Sequence, residues 1–140
     1  MNDIYKNKVV LVTGASRGIG EAIANKFALL GAHVIGTGTT TESAQRITDK
    51  FVDKNLSGTG LVLNISEKKS VETFAKIIQE MDAPSILINN AGVTRDNLLM
   101  RMKDEDFDKV IDTNLKGTFY CTRLCVPDMV KQRWGRIINI

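Results

Sequence analysis

Residues 8 to 20 read Lys8-Val-Val-Leu-Val-Thr-Gly-Ala-Ser-Arg-Gly-Ile-Gly20. Lys8 to Thr13 is a short β-branched run without polar alternation, the pattern of a strand buried on both faces of a parallel sheet. Gly14, Gly18 and Gly20 follow, and then the periodicity changes. Ile23, Ala24, Phe27, Ala28 and Leu30 fall on the apolar side of a helix, with Gly31 as its stop. A tight turn that opens a helix leaves backbone N–H groups unpaired at the positive end of the helix dipole. Glycine there permits positive φ and close approach of another group. Together these make an anion site suited to a pyrophosphate. The Gly-Lys-Ser/Thr ending of a phosphoryl-transfer loop is absent. The bland alternative is a glycine turn that only packs helix on strand. Three glycines after a strand and ahead of a helix favour dinucleotide binding by Gly14, Ala15, Ser16, Arg17, Gly18, Ile19 and Gly20.

Working outward, His33 to Gly36 reads as a second strand. Thr41 to Lys54 reads as a helix with Thr41 as N-cap and Ala44, Ile47 and Phe51 on one face. Thr59 to Leu63 is a third strand. Ser66 caps a predicted helix to about Met81, with Val71, Phe74, Ile77 and Ile78 inward, and Pro84 breaks it. Ser85 to Asn89 is a fourth strand. A loop from Asn90 to Lys103 leads into a long helix to Gln132, bent or ended early by Pro127. Arg136 to Ile140 reads as a buried fifth strand. Alternating strands and helices imply right-handed crossovers and helices on both faces. The fold class is α/β: a Rossmann-like doubly wound parallel sheet, five strands in the part shown, forming one dinucleotide-binding domain over residues 1–140. Six strands are typical of this architecture, and the sequence stops inside a strand. The expectation is that this is the N-terminal part of a longer one-domain protein.

The chain has 140 residues, 43% hydrophobic and 25% charged, an ordinary globular balance. Its net charge of +3 comes from 19 basic and 16 acidic residues, and the basic residues are scattered. That argues against a nucleic-acid binder. No apolar run approaches the ~20 residues of a membrane helix. The polar start, Met1 to Lys8, lacks a signal-peptide core, so a cytoplasmic protein is expected. Two cysteines and one histidine are too few for a Cys/His zinc site, and no metal is expected. Cys121 and Cys125, one helical turn apart, read as small core residues. His33 has no evident ligand partners, and Trp134 beside Gly135 reads as packing.

Cofactor choice is read at the end of the second strand. An NAD-preferring site places a carboxylate there for the ribose hydroxyls. Here the sequence is Gly36-Thr-Gly-Thr-Thr-Thr-Glu42, with no carboxylate at the strand end and Arg17 in the turn. That removes repulsion of a 2′-phosphate and offers Arg17 with Thr39 to bind it, so NADP(H) is expected over NAD(H).

Thr13-Gly-Ala-Ser-Arg-Gly-Ile-Gly20 departs from the general Gly-x-Gly-x-x-Gly spacing. It resembles the Thr-Gly-x-x-x-Gly-x-Gly turn of the short-chain dehydrogenase/reductase family. Asn89-Asn-Ala-Gly92 resembles that family's second signature, and Asn114 in Asp112-Thr-Asn-Leu-Lys-Gly117 resembles its helix asparagine. The resemblance spans the whole chain. Within the family, Asn90-Ala-Gly-Val-Thr-Arg-Asp-Asn-Leu-Leu-Met-Arg-Met-Lys103 is similar to the 3-oxoacyl-acyl-carrier-protein reductases of bacterial and organellar fatty-acid synthesis.

The resemblance implies roles by position. Gly14 to Gly20 would hold the pyrophosphate, and Arg17 with Thr39 the adenosine 2′-phosphate. Asn64, with Ile65 beside it, takes the adenine-contacting position where many members carry Asp. Asn90, with Ala91 and Gly92, would support cofactor and central strand. Asn114 would be one of a catalytic tetrad of Asn, Ser, Tyr and Lys. The partners implied are an acyl carrier protein bearing a 3-oxoacyl chain and further copies in a homotetramer. The implied activity is NADPH-dependent reduction of 3-oxoacyl to 3-hydroxyacyl thioesters. The chain departs from the pattern in one respect. Tyr5 and Tyr120 are its only tyrosines, and neither is followed four residues later by Lys. The acid that protonates the developing alkoxide is therefore assigned to the longer protein. The alternatives are a reductase of another ketone (acyl-CoA, sugar or steroid), and a non-catalytic NADP-binding module if the native protein ends at Ile140.

Phe107, Ile111, Asn114, Thr118, Cys121 and Cys125 recur at spacings of four and three, a stripe expected to be buried. An amide there must find partners or cost about 1–3 kcal/mol. The residues alone allow a satisfied amide bridging helix to sheet or one that binds water in a proton relay; the resemblance favours the relay. Leu98, Leu99, Met100 and Met102 form an apolar cluster, read as core or as a subunit contact. Lys131, Arg133 and Arg136 are read either as a solvated face or as a dock for an acidic carrier.

Overall fold

A computed structural model describes residues 3–93 and 95–140; Met1, Asn2 and Thr94, which belong to the expected domain, lie outside the described residues. The order is β1 (Val9–Val12), α1 (Gly18–Leu29), β2 (His33–Gly38), α2 (Thr41–Asp53), β3 (Gly58–Val62), α3 (Lys68–Glu80), β4 (Ile86–Asn89), α4 (Asp104–Val110), α5 (Gly117–Gln132) and β5 (Arg136–Asn139). A 3₁₀ turn covers Leu99–Arg101, and a π-helical segment, Ile111–Lys116, joins α4 to α5. The sheet order is β3-β2-β1-β4-β5, and every pair is parallel. The chain winds outward from β1 to β3, then returns to the other side of β1 to place β4. Strand order thus reverses between β1 and β4, where such sheets open a crevice beyond their carboxyl ends.

Successive strand residues face opposite sides of a sheet. Here both sides are apolar, which explains the missing alternation. Val10, Val12, Val34, Ile86 and Ile88 face α1 and α2, meeting Ala24, Ala28, Ile47 and Phe51. Leu11, Ile35 and Leu87 face α3 and α5, meeting Phe74, Ile78, Cys121, Cys125 and Met129. α2 lies close on the sheet because β3 carries glycines beneath it. A Cβ on Gly58 would lie 2.5 Å from the Phe51 ring, and one on Gly60 would run into the Ala44 carbonyl.

Several local expectations are corrected. Thr40, not Thr41, caps α2: its Oγ1 accepts from Ser43 N at 3.1 Å while Ser43 Oγ accepts from Thr40 N at 3.1 Å, a reciprocal box. Ser66 does not cap α3. Its hydroxyl is drawn to Asn64 Oδ1 at 2.6 Å, and the capping position falls to Glu67, which makes no side-chain bond. Pro127 sits inside α5 without ending it. The carbonyl it deprives of a donor belongs to Arg123, a residue exposed at the surface. Among the described residues β5 pairs with β4 alone, and its side chains are exposed, Ile137 39% and Ile138 45%. Trp134 packs against the core, and both cysteines are free and buried, as expected. No described helix is long and apolar enough to cross a membrane, and no described group of three His, Cys, Asp or Glu could hold a metal.

Candidate functional site

The crevice is framed by the ends of β1, β2 and β4. Thr13 joins two of them. Its Oγ1 donates to Ile88 O at 3.4 Å and accepts from Asn90 N at 3.0 Å and Ala91 N at 2.9 Å. Asn90 Nδ2 donates back to Thr13 O at 3.3 Å and Gly14 O at 3.1 Å. β2 holds the turn from the other side: Ala15 N bonds Thr37 O at 2.8 Å and Gly14 N bonds Thr37 Oγ1 at 3.1 Å. Gly14 and Gly18 adopt φ of +64° and +59°, the left-handed region that suits glycine. A Cβ on Gly20 would collide with Gly14 O and come within 2.5 Å of Asn90 Nδ2.

This corner aims α1 at the rim. Arg17 occupies the N-cap position in an extended conformation, and its side chain offers no capping oxygen. The amides of Arg17, Gly18, Ile19 and Gly20 find no acceptor among the described residues. Arg17, Gly18 and Ile19 are exposed, Ser16 is half-buried, and Ala15 is buried behind the turn. The arrangement offers a row of N–H donors, a helix dipole and the exposed Arg17 guanidinium, a donor set that fits a diphosphate. Thr39 lies exposed where β2 ends, one residue ahead of the Thr40 cap, and no carboxylate stands beside it at the strand end.

The other expected residues are distributed along the rim. Asn64 follows β3, and its Oδ1 is taken up by Ser66 N and Oγ at 3.1 and 2.6 Å. Ile65 turns toward α5, where its Cγ1 lies 3.1 Å from the position a Gly117 Cβ would fill. Ala91 closes over Gly14, its Cα 2.9 Å from where a Gly14 Cβ would stand. Gly92 passes beneath Asn114, whose Oδ1 would be 3.0 Å from a Gly92 Cβ.

Asn114 lies in the π segment. Its Oδ1 accepts from Val93 N at 2.8 Å and its Nδ2 donates to Val93 O at 3.1 Å, so the amide pairs with backbone as a strand residue does. Both readings of its sequence position demanded a partner, and this is the partner. The expected stripe is corrected: Phe107 and Ile111 are 56% and 36% accessible, while Cys121 and Cys125 are buried. The wider π turn shifts the register between α4 and α5, so one stripe cannot stay on one face. Burial pushes the Cys121 and Cys125 thiols up to about 12. The hydrogen bond and charge of Asp112 raise Lys116.

The lesser candidates fall outside the crevice. Leu98, Leu99 and Met100 are 61%, 87% and 94% accessible and take no part in the core formed by the described residues. Lys131, Arg133 and Arg136 are exposed, and both Arg136 and Lys8 lie over the Trp134 ring. His33 Nδ1 pairs with Ser57 Oγ at 2.7 Å. Sequence reading missed Thr13, Thr37 and Asn89. Thr13 and Thr37 had a signal, since each is a hydroxyl at the end of a strand bordering the glycine turn.

The sequence profile described as short chain dehydrogenase matches residues 8–140, and the chain belongs to that family. Two curated relatives are 3-oxoacyl-acyl-carrier-protein reductases, FabG. That of Pseudomonas aeruginosa is 48% identical over 136 residues, covering 96% of this chain and 55% of the relative. That of Escherichia coli is 49% identical over 137 residues, covering 97% and 55%. A crystal structure of a candidate gluconate dehydrogenase from Agrobacterium tumefaciens superposes with a TM-score of 0.88 at 28% identity, covering 96% of this chain and 54% of that one. The chain thus spans about half the length of the curated relatives it matches.

Proposed function

We propose that this chain is the dinucleotide-binding part of a longer one-domain reductase that converts 3-oxoacyl-acyl-carrier-protein to the 3-hydroxyacyl form with NADPH. The observation that carries the reading is the uncapped N-terminus of α1, open at the β1/β4 reversal and backed by the Asn90 clamp. Arg17 through Gly20 bind the diphosphate through backbone amides. Arg17 and Thr39 take the 2′-phosphate, favoured by the absence of a carboxylate at the end of β2. Asn64 and Ile65 border the adenine. Hydride donation is the chemistry the nicotinamide supplies when bound. Asn114 holds the segment after β4 through Val93 and serves proton resupply. The basic cluster at Lys131, Arg133 and Arg136 steers the acidic carrier. The exposed Leu98–Met100 segment belongs to a subunit contact in a cytoplasmic tetramer. FabG relatives near 48% identity support the substrate class. The gluconate dehydrogenase likeness keeps a second reading, a sugar-acid ketone, in view.

The test is steady-state reduction by the full-length protein of carrier-bound 3-oxoacyl, CoA-bound 3-oxoacyl and a keto-sugar acid. Preference for the carrier-bound ketone is expected, and preference for the sugar would overturn the substrate assignment. Asn114→Leu should lower turnover; unchanged turnover would remove Asn114 from the mechanism.

A further inference from the structure

Asn64 follows β3, and the two halves of its side-chain amide are not equally available. Its Oδ1 accepts from Ser66 N at 3.1 Å and from Ser66 Oγ at 2.6 Å. An amide oxygen has two lone pairs, and both are committed here. Chemistry fixes the orientation. The Ser66 backbone N–H needs an acceptor, so the atom that meets it is the oxygen and not the nitrogen. The turn is tied on either side, by Asn64 N donating to Ser70 Oγ at 2.9 Å and Glu67 N donating to Asn64 O at 3.1 Å. What remains of the side chain is Nδ2, which finds no acceptor among the described residues, and neither does the backbone N–H of Ile65. Two donors stand side by side, and the Asn64 side chain offers no acceptor.

The sheet locates these donors. Leu63 N donates to Gly38 O at 2.9 Å, carrying the β2–β3 register past both strands. Asn64 therefore lies one strand spacing, about 4.8 Å, outward from the end of β2 at Thr39. A diphosphate on α1 beside β1 and a ribose at the end of β2 leave the attached base to extend outward over the end of β3. β3 stands at the opposite margin of the sheet from β5.

We propose that the Asn64 side chain and the Ile65 amide form a donor-only edge against the base, so that the site does not recognise the 6-amino group of adenine and accepts a 6-oxopurine equally well. The inference rests on the NADPH reading given above and sharpens it. Nδ2 donates to N1 of adenine. In hypoxanthine N1 carries a hydrogen and position 6 an oxygen, and Nδ2 donates to that oxygen instead. An aspartate at this position would act in the opposite sense. One carboxylate oxygen would stay with Ser66, and the second would put an acceptor for the 6-amino group where Nδ2 now stands.

The experiment titrates the full-length protein, by nicotinamide fluorescence, with NADPH and with its deaminated analogue, in which hypoxanthine replaces adenine. The wild type should favour NADPH by no more than about threefold in Kd. Asn64→Asp, which keeps the shape, should favour NADPH by about tenfold, the scale of one charge-assisted hydrogen bond. Ser66→Ala, a change at an exposed residue, frees one Oδ1 lone pair and should give a smaller preference in the same direction. A wild type with a larger preference for NADPH overturns the donor edge, and so does an Asn64→Asp ratio equal to that of wild type. Binding of neither dinucleotide by the wild type sinks the cofactor reading and this inference with it. Binding of both in the wrong ratio sinks this inference alone.

Discussion

Gly20→Ala sets local preference against packing. Gly20 lies in the first turn of α1, where alanine is worth about 0.5–1 kcal/mol more than glycine to a helix. Propensity alone therefore predicts a more stable protein. The structure predicts the reverse. The new Cβ would run into Gly14 O and sit 2.5 Å from Asn90 Nδ2, so the turn or the clamp must move. Overpacking of this kind costs about 1–3 kcal/mol. Losing the 3.1 Å bond from Asn90 Nδ2 to Gly14 O costs about 0.5–1.5 kcal/mol more. After the helix gain is subtracted, the net loss is about 2 kcal/mol. Urea unfolding of the full-length protein should show a midpoint lower by about 1 M, taking a slope of about 2 kcal/mol per M. Affinity for NADPH should fall as well, because the same movement displaces the amides of Arg17 to Gly20. A midpoint equal to or above wild type, with unchanged NADPH affinity, would refute the close packing of turn against clamp.

Arg17→Glu should weaken NADPH binding about tenfold or more and leave NADH nearly unchanged, because an exposed charge-assisted contact falls at the low end of its usual range; paired titrations check this. Thr40→Ala removes the α2 cap and should cost about 1 kcal/mol, read from thermal melts, whereas Thr41→Ala should cost little. The buried Cys121 and Cys125 thiols, raised from 9.0 to about 12, favour the folded state while neutral. That stability is fully present below pH 9 and declines as pH rises toward about 12. Both thiols should resist alkylation in the folded protein and react in urea; rapid labelling without denaturant would contradict their burial.

Much of this architecture was legible because its signals are local. The unbroken apolar run at Val9 to Val12 follows from burial on both faces, and the glycines after it follow from the turn they must make. The Asn90 position was legible only through its resemblance. No periodicity reveals that its Nδ2 reaches across 76 positions to Gly14. Other features depend on what packs where. Ile137 and Ile138 read as core, and among the described residues they are 39% and 45% accessible, since burial depends on what packs over a strand and not on its own residues. The interval from Phe107 to Cys125 suits a straight helix, and the π turn that disrupts it carries Asn114, whose amide pairs with Val93. Thr40 and Thr41 are indistinguishable by type. Only the reach of Ser43 back to the Thr40 amide decides between them. Pro127 lies inside α5 without ending it, which the residue type alone does not foretell.

The central claim is that α1 presents unpaired amides to a dinucleotide diphosphate. Amide NMR of isotope-labelled full-length protein tests it most directly, following each N–H as NADPH is added. The largest shifts are predicted at Arg17, Gly18, Ile19 and Gly20, with smaller changes at Asn64 and Ile65. Saturable NADPH binding that leaves those four amides unmoved would contradict the account.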